Sequence, residues 1–239
     1  GAIRGMRNPK NSWHKNDTRE FLYQNALHSM SSFDNSKYHI CKYIDLDALC
    51  VKIGENDMKL AQTLIKAGNE HRKFMRQIFV SVDITAPLYW WKEMDQYRIN
   101  VTTNSTSTMH KLTSSPITID CFETDDYDRS LSLADNETQA DEIDNISTFE
   151  EDIIYVLENI RQKYLETKDK RYWKELVRWL PESWLQKRTI TMNYENVRNM
   201  YFQRRNHKLT EWSKSFIKWV ESLPYAKELI MYDGKSENP

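Results

Sequence analysis

Apolar residues recur along this chain mostly every three or four positions, with short alternating stretches between, so helices outnumber strands in the reading. The first fifteen residues follow neither period and predict irregular chain. Asp17 with Glu20 three positions on has the form of a capping box, and Phe21, Leu22, Ala26, Leu27 and Met30 predict a helix behind it. Residues 38–53 alternate loosely through Tyr38, Ile40, Tyr43 and Ile44, which predicts a short strand. Asn56 or Asp57 then caps a helix with Leu60, Ala61, Leu64 and Ile65 on its apolar face, and Gly68 suits its stop. Over 77–84 the alternation is strict: Ile78, Val80, Val82 and Ile84 face one way, Gln77, Phe79, Ser81 and Asp83 the other, the signature of a strand.

The stretch Ala86–Leu112 opens as a helix, with Pro87 where a first turn tolerates proline, and breaks into a polar loop. Between Asp120 and Asp152 stand thirteen acidic residues and one basic residue, Arg129, with little apolar pattern. This predicts a solvated insertion at about 120–146. Ser147 with Glu150 opens a long helix containing Ile153, Ile154, Val156, Leu157, Ile160 and Tyr164. A second helix covers Arg171 to Trp179 and ends at Leu180-Pro181. Residues 187–192 predict a strand. Helices follow over Asn193–His207 and Thr210–Leu223, with a short one near Ala226–Met231. Few strands, widely separated among many helices, predict an α+β domain with a small antiparallel sheet rather than a βαβ repeat.

Composition narrows the function classes. With 239 residues the chain suits one large domain or two small ones. Five glycines and no glycine-rich loop argue against a Rossmann fold or a P-loop, where glycine lets the backbone approach phosphate. A net charge of −1 gives no global pull toward nucleic acid or an anionic membrane. No apolar run reaches membrane-spanning length and no secretory leader is visible, so a cytoplasmic protein is expected. Cys41, Cys50 and Cys121 are odd in number and form no C-x-x-C, which disfavours structural zinc and a disulfide framework.

Two segments carry candidate chemistry. In the first, Arg98 leads into Asn104, Ser105, Thr106, Ser107 and Thr108. A forked guanidinium beside hydroxyls and amides can cradle a phosphate or a polar ring, or the side chains can simply bond their own backbone on a surface loop. In the second, Asn193, Asn196, Asn199 and Gln203 recur at helical spacing, nearly in line. Amides donate and accept together, so such a stripe can meet the edge of a heterocycle; it can equally be a solvated face, with Arg204 and Arg205 suiting the helix C-terminus. Tyr89, Trp90 and Trp91 read as core or interface. No cysteine has an activating neighbour, which leaves a covalent thiol mechanism unsupported. A nucleic-acid site built on Arg204, Arg205, His207 and Lys208 runs against the near-neutral charge and the acidic insertion.

The two segments resemble the signature regions of the flavin-dependent thymidylate synthases, the ThyX family, with resemblance running from about Asn56 to Met231. The family hallmark is Arg-His-Arg, seven residues, then Ser. Here Gln96-Tyr97-Arg98 is followed after seven residues by Thr106; with one extra loop residue Ser107 takes the Ser place, Asn104 matches the Asn of the family's Asn-Glu-x-Ser, and Ser105 falls on its Glu. Upstream, Gly68-Asn69-Glu70-His71 resembles the flavin-contacting Gly-His-Glu-Ser/Thr segment, with Asn69 for the His. Downstream, Asn193, Asn199 and Arg204 follow Leu180-Pro181 at family-like spacing, and Arg178 lies one position from where a phosphate-binding Arg is expected.

The resemblance implies a ThyX-like α+β fold over 1–239, a small mostly antiparallel sheet packed with several helices, assembled as a homotetramer. It implies FAD as cofactor, held by His71, Tyr97, Arg98, Asn193 and Asn199, and dUMP or a related pyrimidine nucleotide as substrate, held by Asn104, Ser105, Thr106, Ser107, Arg178 and Arg204. The reaction implied is reductive methylation of dUMP to dTMP, with methylenetetrahydrofolate as carbon donor and NADPH as reductant. Arg204 is the implied catalytic residue, stabilising charge that develops on the uracil carbonyls. No protein nucleophile is needed, in agreement with the inert cysteines. Because Gln96 and Tyr97 replace two cations, the alternative is a non-catalytic or altered-specificity nucleotide- and flavin-binding protein on the same scaffold.

Overall fold

The computed structural model describes residues 1–22, 49–131 and 146–234. They form two compact units: the first comprises Gly1–Asp83, Tyr97–Thr103 and Thr189–Pro239, the second Ile84–Gln96 and Asn104–Arg188.

The first unit opens on a helix, α1 (Ala2–Arg7), and two 3₁₀ turns, Asn8–Lys10 and Trp13–Lys15, where irregular chain was expected. The helix expected after Asp17 does not start there. Arg19–Leu22 is a strand, β1, paired antiparallel with β2 (Leu49–Lys52) so that Arg19 lies opposite Lys52. Ladder pairing to a partner some thirty residues on has overridden a local helical period, as tertiary context does. The remainder of that expected helix, 23–30, and residues 38–48 of the expected strand lie outside the described residues.

Asp17 does cap a helix, but one forty residues away. α2 (Glu55–Lys66) has Gly54 as its N-cap, and glycine has no side chain to satisfy the first free N–H groups. Asp17 supplies them: its Oδ2 accepts from Asn56 N at 2.8 Å and its Oδ1 from Asp57 N at 3.0 Å. Asp57 answers from inside the helix. Its Oδ2 accepts from the backbone N–H groups of Asp17 and Thr18 and from the Thr18 hydroxyl, at 3.2, 3.0 and 2.6 Å. Ala61, Leu64 and Ile65 form the buried face of α2, and Gly68, at φ 105°, turns the chain after it in a conformation that favours glycine.

Two predictions follow from this clasp. A Cβ at Gly54 would stand 2.2 Å from the Asp17 Cγ and 2.5 Å from its backbone carbon, a contact the backbone cannot avoid. Gly54→Ala is therefore expected to destabilise the chain by about 1–3 kcal/mol in urea unfolding, the usual range for overpacking. The second concerns pH. Hydrogen bonds from the Asn56 and Asp57 N–H groups hold the Asp17 carboxyl below its ordinary value of 3.8, against a smaller opposing effect of burial. A carboxylate lowered on folding stabilises above its unfolded pKa, and that contribution is lost as the pH falls through the folded value. The melting-temperature difference between the parent and Asp17→Asn is expected to hold steady at neutral pH and to shrink as the pH drops below 3.8.

The main sheet has three antiparallel strands in the order β3–β5–β4: β3 is Phe79–Pro87, β4 Thr102–Ser105 and β5 Leu185–Asn193. Side-chain pairs mark the β3–β5 register: Ser81 Oγ meets Thr191 Oγ1 at 2.9 Å, and Thr189 Oγ1 donates to Asp83 Oδ1 at 2.6 Å. The alternation expected over 77–84 is present, with Phe79 and Ser81 exposed and their neighbours more covered. Ile190 and Met192 of β5 are fully buried. β4 occupies part of what the sequence predicted as loop; all four of its residues are exposed, so no alternation marks it.

β5 leads into α7 (Tyr194–Arg204). Asn193 caps it, accepting from Asn196 N at 3.0 Å while Asn196 Oδ1 accepts from Asn193 N at 3.4 Å. The expected helix over Thr210–Leu223 begins as a π-helical turn, Glu211–Phe216, and continues as a short α-helix, Ile217–Glu221; a second π-helical turn covers Ala226–Ile230. Met75, Val197, Met200, Trp212, Val220 and Ile230 are fully buried in this unit.

The second unit contains α3 (Leu88–Met94), α4 (Thr108–Lys111), α5 (Ile146–Thr167) and α6 (Lys170–Trp179). Leu112, Ile117, Phe122, Leu157 and Leu176 form its core, with Ile153, Ile154, Val177 and Trp184 packed against them. Phe122 lies within the stretch predicted as a solvated insertion, yet it is buried, bridges Trp184 as an isolated β pair and packs on its ring edge to face. The core thus reaches past Asp120; residues 132–145 lie outside the described residues. Trp90 and Trp91 are buried, as expected of core aromatics; Trp91 Nε1 donates to Gln186 O at 2.9 Å and Arg188 lies 4.4 Å over its ring. Among the described residues no helix is long and apolar enough to cross a membrane, and no cluster of His, Cys, Asp and Glu forms a metal site.

Candidate functional site

The first unit brings the segment after α3 against α7. Asn196 Nδ2 donates to Ile99 O at 2.8 Å, and two turns further along the helix Arg204 Nε donates to the Tyr97 hydroxyl at 2.8 Å. The segment 97–99 therefore runs antiparallel to α7, along the face that carries Asn196, Asn199 and Gln203. Tyr97 donates its own proton to Gln203 Oε1 at 2.9 Å. Arg204 is also stacked: its guanidinium carbon lies 5.5 Å from the Tyr97 ring centre and 5.0 Å from that of fully buried Trp212. Contacts of this kind contribute about 0.5–2 kcal/mol, and they hold a long side chain in one place.

The in-line amide stripe read from the sequence is narrower than expected. Asn193 is 1% exposed and sits beneath the helix as its cap, so it does not share the open face. Asn196 divides its amide between that capping box and Ile99. Asn199 and Gln203 remain exposed. His71 and Arg98 are exposed too, His71 in the turn after α2 and Arg98 beside Tyr97.

Two further cations brace α7 from within. Arg72 Nε lies 2.9 Å from both carboxylate oxygens of Glu195, in the first turn of the helix. Arg198 is buried and donates through Nη1 to the carbonyl oxygens of Ile230 and Tyr232, at 2.6 and 2.5 Å. Burial chiefly, and Arg72 beside it, push the Arg198 guanidinium down to about 10, and Glu195 and Asp233 oppose them. It stays cationic at neutral pH and ties the C-terminal π-helical turn to α7.

The remaining predicted residues lie in the second unit. Asn104 and Ser105 end β4, exposed. Thr106 is fixed by its backbone, its N–H donating to Lys187 O at 2.9 Å and its carbonyl accepting from Gln186 Nε2 at 2.8 Å. Ser107 caps α4, its Oγ accepting from His110 N at 3.2 Å. Arg178 is exposed on α6 and paired with Glu175 one turn before it. Sequence reasoning missed Trp212 as the platform under Arg204. It also missed Arg72–Glu195, whose partners stand 123 positions apart with no periodicity to link them.

No protein-family profile matches the sequence, and no curated protein matches it. Solved structures do. One, the flavin-dependent thymidylate synthase ThyX from Helicobacter pylori complexed with FAD and dUMP, is similar with a TM-score of 0.56 at 16% identity, over 96% of this chain and 91% of that one. A second structure of ThyX from Helicobacter pylori with FAD and dUMP gives 0.57 at 15% identity, over 98% and 93%. The likeness is one of fold: the α+β arrangement with its small antiparallel sheet is ThyX-like.

Proposed function

We propose that this chain binds FAD and a pyrimidine nucleotide, and that it carries out the reductive methylation of dUMP to dTMP with methylenetetrahydrofolate and NADPH as co-substrates. One observation carries the reading. Arg204, at the position the family spacing assigns to the uracil-facing cation, is locked by Tyr97 and Trp212 at the edge of an open amide face. The fold around it is one that solved structures show with FAD and dUMP.

The donors present fit both groups. Arg98, His71 and Asn199 are exposed and would hold FAD, a guanidinium for phosphate and an amide for a ring edge. Tyr97 and Asn193 would act from behind, Tyr97 by holding Arg204 and Asn193 by capping α7. When bound, reduced flavin supplies hydride and relays the one-carbon unit. The chain's own task is to orient the pyrimidine and to keep a fixed cation where negative charge grows on its carbonyl oxygens. Asn104, Ser105, Thr106, Ser107 and Arg178 are the proposed donors to the nucleotide's phosphate and sugar, in a homotetramer.

The test is direct. Purified protein reconstituted with FAD is expected to show flavin absorbance, and calorimetry is expected to give heat on adding dUMP. A colourless protein with no dUMP heat overturns the proposal. The replacement of two family cations by Gln96 and Tyr97 favours a second reading, a binding protein on the same scaffold without turnover; dUMP-dependent NADPH oxidation would remove it.

A further inference from the structure

The hydrogen-bond relay at the end of α7 fixes which way an exposed amide points. A guanidinium has donors only, so the Tyr97 hydroxyl accepts from Arg204 Nε and its proton must go elsewhere. It goes to Gln203 Oε1. With its oxygen turned to Tyr97, Gln203 directs its Nε2 amino group the other way. Gln203 is exposed, and exposed Asn199 sits one turn before it on the same face. The outward edge beside Arg204 is therefore led by N–H donors, and its polarity is set by Tyr97 rather than by the freedom of a surface glutamine.

Uracil and cytosine differ at ring position 4, where one carries a carbonyl acceptor and the other an amino donor. A donor facing an acceptor makes a bond; two donors face to face leave one unpaired on desolvation, which is how polar sites reject a wrong ligand strongly. Resting on the function proposed above, we infer that Gln203 is a specificity-determining residue. Held by the Tyr97 relay, it donates through Nε2 to the pyrimidine carbonyl at position 4 and selects the uracil ring over the cytosine ring.

The test is calorimetric titration of FAD-supplemented protein with dUMP and with dCMP. The parent is expected to prefer dUMP. Gln203→Met keeps the length and removes the donor; it is expected to weaken dUMP about five- to tenfold, the worth of one hydrogen bond, and to leave dCMP nearly unchanged. Tyr97→Phe removes the hydroxyl that turns the amide, and the dUMP to dCMP preference is expected to fall severalfold. In the Tyr97→Phe background, Gln203→Met should then change that preference less than it does in the parent. Both sites are exposed or part-exposed, and melts by circular dichroism check that the variants fold. If the parent binds dUMP and Gln203→Met leaves the preference unchanged, the inference falls and the proposed function stands. If the parent binds neither nucleotide, both fall.

Discussion

The Arg204→Ala variant is expected to fold and to lose about 10²–10³-fold in dUMP-dependent turnover, the usual effect of removing one donor aimed at developing charge. The folding expectation rests on where the side chain lies. Arg204 is part-exposed, and its platform, Trp212, is held independently by the buried residues around it and by an edge-to-face contact with Phe216 at 5.1 Å. The functional expectation rests on fixation. Nε is bonded to Tyr97 and the plane is stacked, so little rotamer freedom remains to be lost when a ligand arrives. Arg204→Lys separates charge from shape. Lysine keeps the cation but has neither the fork nor the Nε donor for Tyr97, so it is expected to recover only part of the activity. Nucleotide affinity and turnover that survive Arg204→Ala unchanged would contradict the role proposed for it.

Asp57→Ala is the variant expected to damage the fold most, by about 3–5 kcal/mol in urea unfolding, because it strands a buried charge. Asp57 is 0% exposed and Arg7 only 4%. Arg7 Nε donates to Asp57 Oδ1 at 2.8 Å, and its remaining N–H groups reach Ser12 Oγ and Lys15 O. Removing the carboxylate leaves the guanidinium uncompensated and also takes the acceptor from the Asp17 N–H and the Thr18 hydroxyl, while the Thr18 N–H keeps Asn16 Oδ1 at 3.0 Å. An apolar pair, Arg7→Met with Asp57→Leu, is expected to recover only part of the loss. The swap removes the stranded charge, but no apolar side chain can accept the hydrogen bonds from Asp17 and Thr18. Full recovery in the double variant would show that the ion pair alone matters.

Elements defined by local chemistry were legible in the sequence. Gly68 ends α2 at positive φ and Leu180-Pro181 ends α6, whereas Asn193, read as part of the amide stripe, turns out to cap α7. The alternation over 77–84 marks β3, though the strand starts and ends a few residues later. Features that depend on distant partners were not legible. β4 reads Thr-Thr-Asn-Ser with no apolar position, and its order comes from lying beside β5. The segment 19–22 obeys the ladder of β2 rather than its own helical period. Phe122 is one apolar residue among acids, and only the fold places Trp184 against it. In the candidate site, the spacing of Asn193, Asn199 and Arg204 could be read directly. That Tyr97 grips Arg204 could not, since 107 positions separate them and neither carries a local signal for the other.

The position of β5 bears on how the molecule is made. This middle strand is the last of the three to leave the ribosome, so β3 and β4 emerge earlier and wait with their backbone edges unsatisfied. Ser81 meets Thr191 only after 110 further residues have been synthesised. Pairing at such range carries a large loop-closure entropy and slows folding. Nascent chains stalled before residue 185 would display two lone strands, open to strand addition by other chains.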